Sequence, residues 1–117
     1  AICYTFHMSK TLVQITKEVV AIFEEYRKQG TLNWNYEIAS RDLIYQVGSL
    51  NKVILQLHNQ RYRDGKTDDE LKSVVADELA DILAEVVFIA HDMHIDLEVA
   101  WEKMAESDRS KIANSSK

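Results

Sequence analysis

Proline is absent from this 117-residue chain, and glycine occurs only at Gly30, Gly48 and Gly65. The residues that break helices and shape tight hairpins are therefore nearly missing, which excludes a chain of many short turns and predicts helices joined by few connections. The single cysteine, Cys3, excludes an intramolecular disulfide and fits a reducing compartment, so the expected location is cytoplasmic. Basic residues are outnumbered 14 to 19 by acidic ones, for a net charge of -5; no nucleic acid polymer is expected as a partner, since such binders carry a basic balance or patch. Long apolar runs are missing too. The most apolar stretch, residues 82–90, contains Glu85 and falls far short of the roughly 20 residues a membrane span requires, so no membrane partner is expected.

What remains is a composition of 46% hydrophobic and 28% charged residues, that of a folded domain with one core. Residues 1–8 read as a leader or expression-derived segment, 9–113 as a single helical domain, and 114–117 as a frayed tail. Apolar periodicity predicts four helices. The first follows Thr11, which with Gln14 forms a capping box, and runs towards Gly30. The second begins near Asn35 and carries Leu43, Val47, Leu50, Ile54 and Leu57 at steps of three and four. Gly48 lies inside it, at a cost of about 0.5–1 kcal/mol relative to alanine. Close approach of another backbone is the expected reason, with simple tolerance as the alternative.

Thr67 and Glu70 form a second capping box for the third helix, and Asp68 and Asp69 complement its N-terminus. Leu71, Val75, Leu79, Ile82, Val86 and Ile89 mark its apolar face, widened by several alanines, valines and leucines until most of the circumference is apolar. Such a helix needs cover from several neighbours, and in a chain this short a second copy is expected to supply part of it, giving a homodimer at least. Asp96 caps a fourth helix with Leu97, Ala100, Trp101 and Met104 on its inner face.

Glu78, Asp81 and Glu85, with Asp92 as a further member, fall on one side of the third helix and border its apolar arc. Neighbouring carboxylates at the edge of a buried face repel one another and lose hydration, a cost that Mg²⁺ or Mn²⁺ would offset. A merely solvated acidic face is the competing reading. On the second helix Gln46 lies between Leu43 and Leu50, with Asp42 and Ser49 beside it; a polar group there either bonds a buried partner or lines a cavity. If these helices pack together, Asp42, Gln46 and Ser49 face Glu78, Asp81 and Glu85 across one cleft. His91 and His94 form an H-x-x-H pair that lacks a third ligand nearby in sequence, so a helix-end role is expected for them.

The stretch DELADILAEVVFIAHDMHIDLEVAWEKM resembles the second half of the MazG-like family of all-α nucleoside triphosphate pyrophosphohydrolases, through the E-x-x-D pair Glu78 and Asp81, the turn from Ile95 to Ala100, and Lys103. Upstream, RDLIYQVGSLNKVI is similar in register to the family's L-x-E-E-x-G-E-L helix, with Gly48 and Leu50 in place. The resemblance covers roughly residues 34–111. It implies a MazG-like bundle of about four helices completed by dimerisation, with Mg²⁺-dependent cleavage of a nucleoside triphosphate to monophosphate and pyrophosphate.

Glu78 and Asp81 would be the catalytic pair and metal ligands, joined by Glu85 and Asp42, while Gln46, Ser49, Lys103 and Trp34 would meet the substrate. A lone lysine such as Lys103 is more often a solvated surface residue, and Trp34 reads equally as a hydrophobic anchor. The sequence departs from the family where Tyr45, Gln46 and Ser49 stand in place of three glutamates and Ser107 in place of an asparagine. Gln46 and Ser49 cannot act as carboxylate bases. The alternative is therefore a catalytically degenerate helical module that binds metal or nucleotide or acts in protein interaction.

Overall fold

The computed structural model describes residues 9–30 and 33–115; the leader segment 1–8 lies outside the described residues. Four helices follow one another: α1 (Leu12–Gln29), α2 (Tyr36–Leu57), α3 (Asp68–Asp92) and α4 (Leu97–Ser115). The all-α class is as expected, and no strand occurs among the described residues. Their starts are set by side-chain caps. Thr11 Oγ1 accepts from the Gln14 amide while the Gln14 side chain accepts from the Thr11 amide, and Asn35, Thr67 and Asp96 accept from Ile38, Glu70 and Val99. Each bond satisfies an amide that the first helical turn leaves without a partner.

The ends are less orthodox. Asn59 and His94 adopt positive φ, 56° and 57°, and the next residue's amide reaches back to close each helix, Gln60 to Leu55 O and Ile95 to Ala90 O, both at 2.8 Å. This is the left-handed stop usually given to glycine. It lets α2 and α3 end without spending a glycine at either place.

α2 and α3 form an antiparallel pair. Tyr36 pairs with Asp92, Asp42 with Glu85 and Ser49 with Glu78, so partner numbers add to 127 or 128 along the whole interface. α1 packs on the C-terminal half of α3. There Val19 and Phe23 meet Val87 and Phe88, with Ala39 from α2 completing the buried cluster. The Phe23 and Phe88 rings lie 4.4 Å apart and Trp34 stands 5.6 Å from Phe23. Arg27 stacks over Phe88, at 5.6 Å from the ring centre, and donates to the carbonyl oxygen of Trp34. Asp92 faces the same guanidinium at 3.9 Å and accepts from the Tyr36 amide at 2.8 Å. One arginine and one aspartate thus fix how the α1–α2 connection crosses α3.

Several expectations are corrected. The buried side of α2 is Ala39, Val53 and Gln56, while Val47 and Ile54 of the expected stripe are exposed; the helix is turned with its polar side towards α3. On α3, Leu79, Leu83 and Val86 are exposed, so the cover demanded by its apolar circumference is not supplied by the described residues. α4 has no buried residue, and Ala100, Trp101 and Met104 of its expected inner face stand in solvent. It also continues to Ser115, past the expected domain end at 113. No atom lies within 4 Å of where a Cβ would stand at Gly48, which removes close approach within the chain as its reason. The radius of gyration, 17.8 Å, exceeds the roughly 13–14 Å of a compact chain of this length. Among the described residues no helix is long and apolar enough to cross a membrane.

Candidate functional site

Antiparallel pairing brings two sets of polar residues, 29 to 43 positions apart in sequence, to one edge of the α2–α3 hairpin. Ser49 Oγ donates to Glu78 Oε1 at 3.0 Å. Gln46 Nε2 donates to Asp42 Oδ2 at 3.4 Å, one turn away on the same helix. Asp42 in turn hydrogen-bonds Glu85 across the interface, and Asp81 adds its charge to that pair. The two helices do pack together as expected, and pairwise contacts bring Asp42, Gln46, Ser49, Glu78, Asp81 and Glu85 to the α2–α3 interface.

Burial differs sharply along it. Asp81 is exposed, Asp42 and Glu78 are half-buried, and Glu85 retains 4% of its accessible surface. A carboxylate so placed loses its hydration, which disfavours the charged form. Burial first, then the hydrogen bond and charge of Asp42, then the charge of Asp81, push the Glu85 carboxyl up to about 8. Near neutral pH Glu85 accordingly holds its proton and donates it to Asp42. Two carboxylate oxygens, Glu78 Oε2 and Glu85 Oε2, are buried without a hydrogen-bond partner. Buried polar atoms are ordinarily paired, and an orphan costs about 1–3 kcal/mol.

These orphans and the hard oxygen donors around them suit a hard cation. Among the described residues, however, no three carboxylate, histidine or cysteine groups converge closely enough to hold one. The described residues could therefore offer a hard cation one or two side chains at most, the rest of its shell coming from water and ligand oxygens.

Other sequence candidates lie elsewhere. Lys103 lines a groove with Leu12 and α4 residues Val99, Trp101 and Glu106. Trp34 is half-buried against Phe23, a packing role. Asp92 leaves the carboxylate stripe for Arg27 and Tyr36. His91 occupies the last turn of α3, at the helix end. Arg63 of the basic loop pairs with Asp68. Sequence reasoning missed the Arg27–Asp92 clamp, because its parts sit on separate helices and only the Phe23 and Arg27 spacing hinted at a shared face. An apolar groove of about 600 Å³ between α1 and the α3–α4 corner, lined by Leu12, Val20, Val87 and Ile95, takes in none of the clustered carboxylates. Comparison with protein-family models, curated proteins and solved structures finds no match.

Proposed function

We propose that the chain is a MazG-like, Mg²⁺-dependent nucleoside triphosphate pyrophosphohydrolase, a homodimer that clears nucleotides from the cytoplasmic pool by releasing pyrophosphate. The observation that carries this reading is the hairpin edge, where Asp42 and Asp81 act on Glu85 and two buried carboxyl oxygens, of Glu78 and Glu85, lack partners. Glu78 and Asp81 are the residues to hold the cation, with Asp42 and Glu85 behind them. When bound, Mg²⁺ would neutralise the triphosphate and polarise a water.

The chain's own residues do the rest. Ser49 fixes the rotamer of Glu78 through its hydroxyl, and Gln46 does the same for Asp42. Asp81, the exposed carboxylate, would take the proton from the attacking water, a step that neither Ser49 nor Gln46 can perform as a base. Lys103 and Trp34 enter only through the resemblance.

A second reading is favoured by the same two hydrogen bonds. Neutral donors already occupy Glu78 and Asp42 where relatives of the resembled family place acids, as expected of a module that kept the fold and gave up hydrolysis. Pyrophosphate release separates the two. The protein is incubated with Mg²⁺ or Mn²⁺ and a panel of ordinary and modified nucleoside triphosphates, beside the variant Glu78→Ala/Asp81→Ala. Release that disappears in the variant, by about 100-fold or more, supports the enzyme. Equal background release from both proteins leaves the module.

A further inference from the structure

The apolar groove between α1 and the α3–α4 corner does not end at that corner. Val87 and Ala90 of α3, both buried, back a space of about 600 Å³ that Leu12, Val13 and Val20 line from α1. A second groove of about 580 Å³ lies between Leu12 and α4, where Val99 and Trp101 line it and Trp101 is 61% exposed. Leu12 and Glu98 border both grooves, so the two form one trough with an arm on each helix. The α1 arm runs from Leu12 to Ala21 and the α4 arm from Glu98 to Glu106, about 14 and 12 Å at the helical rise. Either arm alone is the size of a small-molecule pocket; together they have the length of a peptide.

The arms differ in charge. Besides His91, the ionisable side chains of the trough are Lys17, Asp96, Glu98, Glu102, Lys103 and Glu106. Asp96 is occupied in capping α4, and Lys17 offsets Glu98 on the α1 arm. On the α4 arm Glu98, Glu102 and Glu106 recur every four residues and share one side of the helix, with Lys103 as the sole cation. None of the three carboxylates meets a cation or a hydrogen-bond donor among the described residues. Like charges at this spacing weaken a helix, so a cationic partner would relieve α4 while covering Val99 and Trp101. We propose that the trough binds a short segment of another protein, apolar at one end and rich in lysine or arginine at the other. The apolar end sits between α1 and the α3–α4 corner, and the basic end faces the α4 glutamates. Laying apolar side chains of an amphipathic segment into a groove is a recurring mode of peptide recognition, and opposite charge fixes which way round the segment lies. The trough shares no residue with the carboxylate edge of Asp42, Glu78, Asp81 and Glu85, so this proposal lies beyond the reading above and does not depend on hydrolysis.

Fluorescence anisotropy tests this with a labelled peptide of about 16 residues, the length of the trough in helical form, carrying leucines and serines in its first half and lysines in its second. A counterpart has glutamates in place of the lysines. The lysine peptide is expected to bind saturably and the glutamate peptide not to bind. Glu98→Gln/Glu102→Gln/Glu106→Gln, which changes only exposed side chains, is expected to keep the helical circular dichroism and weaken binding about 10-fold, the size expected of three exposed ion pairs. Val13→Gln, at a half-exposed position of the α1 wall, is expected to weaken it as well. Glu78→Ala/Asp81→Ala is expected to bind as the unaltered chain does, which separates the trough from the carboxylate edge. No binding of the lysine peptide, as a second copy seated in the trough would cause, overturns the proposal. Equal binding of both peptides, as in a groove that takes apolar chains whatever their charge, overturns it too, and so does a loss confined to the Glu78→Ala/Asp81→Ala variant.

Discussion

The two edges of the α2–α3 hairpin are made of the same two helices and invert the usual arrangement of polar and apolar groups. One edge draws Gln46, Ser49, Glu78 and Glu85 inward, with Glu85 nearly buried; the other leaves Val47, Leu79 and Leu83 in solvent. Burying carboxyl groups while exposing leucines is unfavourable in an isolated domain on both counts. The polar edge is the one on which the proposed function rests. The difference also shows that hydrophobic periodicity alone does not tell which side of a helix this chain buries.

The comparison breaks most readily on the polar edge. Gln46→Glu/Ser49→Glu would restore acids at the resembled family's positions, replacing two internal donors with like charges. In EDTA this variant is expected to lose about 2–4 kcal/mol in urea unfolding, from lost hydrogen bonds and repulsion, and to regain most of it in millimolar Mg²⁺. No recovery with the metal would mean that the edge does not gather a cation.

An effect of similar size follows from Glu85. Its carboxyl titrates near 8 when folded, against 4.5 ordinarily, so the unfolded chain gives up its proton first. The stabilising contribution is complete below about pH 4.5, declines as pH rises through 8, and changes no further above that. The midpoint of metal-free protein should drop by several degrees between pH 5 and pH 8.5, and Glu85→Gln should flatten the slope; an equal slope in the variant would assign the effect to other groups.

The smallest effect lies at Gly48, which belongs to neither edge. With open space where its Cβ would stand and no positive φ, Gly48→Ala should stabilise α2 by about 0.5–1 kcal/mol. Destabilisation in the dimer would instead place a neighbouring backbone there.

Much of the helical plan was legible because capping is local. Thr11 with Gln14, Asn35, Thr67 and Asp96 each announce a helix start within four residues, and all four starts are found. The ends at Asn59 and His94 were not, since a left-handed stop without glycine leaves little trace in sequence. For the site, spacing alone placed Glu78, Asp81 and Glu85 on one side of α3, and the polar run of Asp42, Gln46 and Ser49 opposite them on α2. What spacing could not give was the rotation of α2 about its own axis. Leu43, Val47 and Ile54 form as regular a stripe as Asp42, Gln46, Ser49 and Val53, and only the match to α3 decides between them. α4 was misread for a related reason: its stripe is real, but none of the described residues buries it.

The pairing of Tyr36 with Asp92 at one end of the hairpin and Ser49 with Glu78 at its middle has a consequence for how the sequence tolerates changes in length. Both pins lie on the same side of the connection formed by residues 58–67, so chain can be added or removed there without disturbing the site. A single residue inserted between Tyr36 and Ser49 would rotate everything beyond it by about 100°, carrying Ser49 away from Glu78 while Tyr36 stayed in place. Variation in length should thus be found in that one connection and be absent from the helical stretch between the pins.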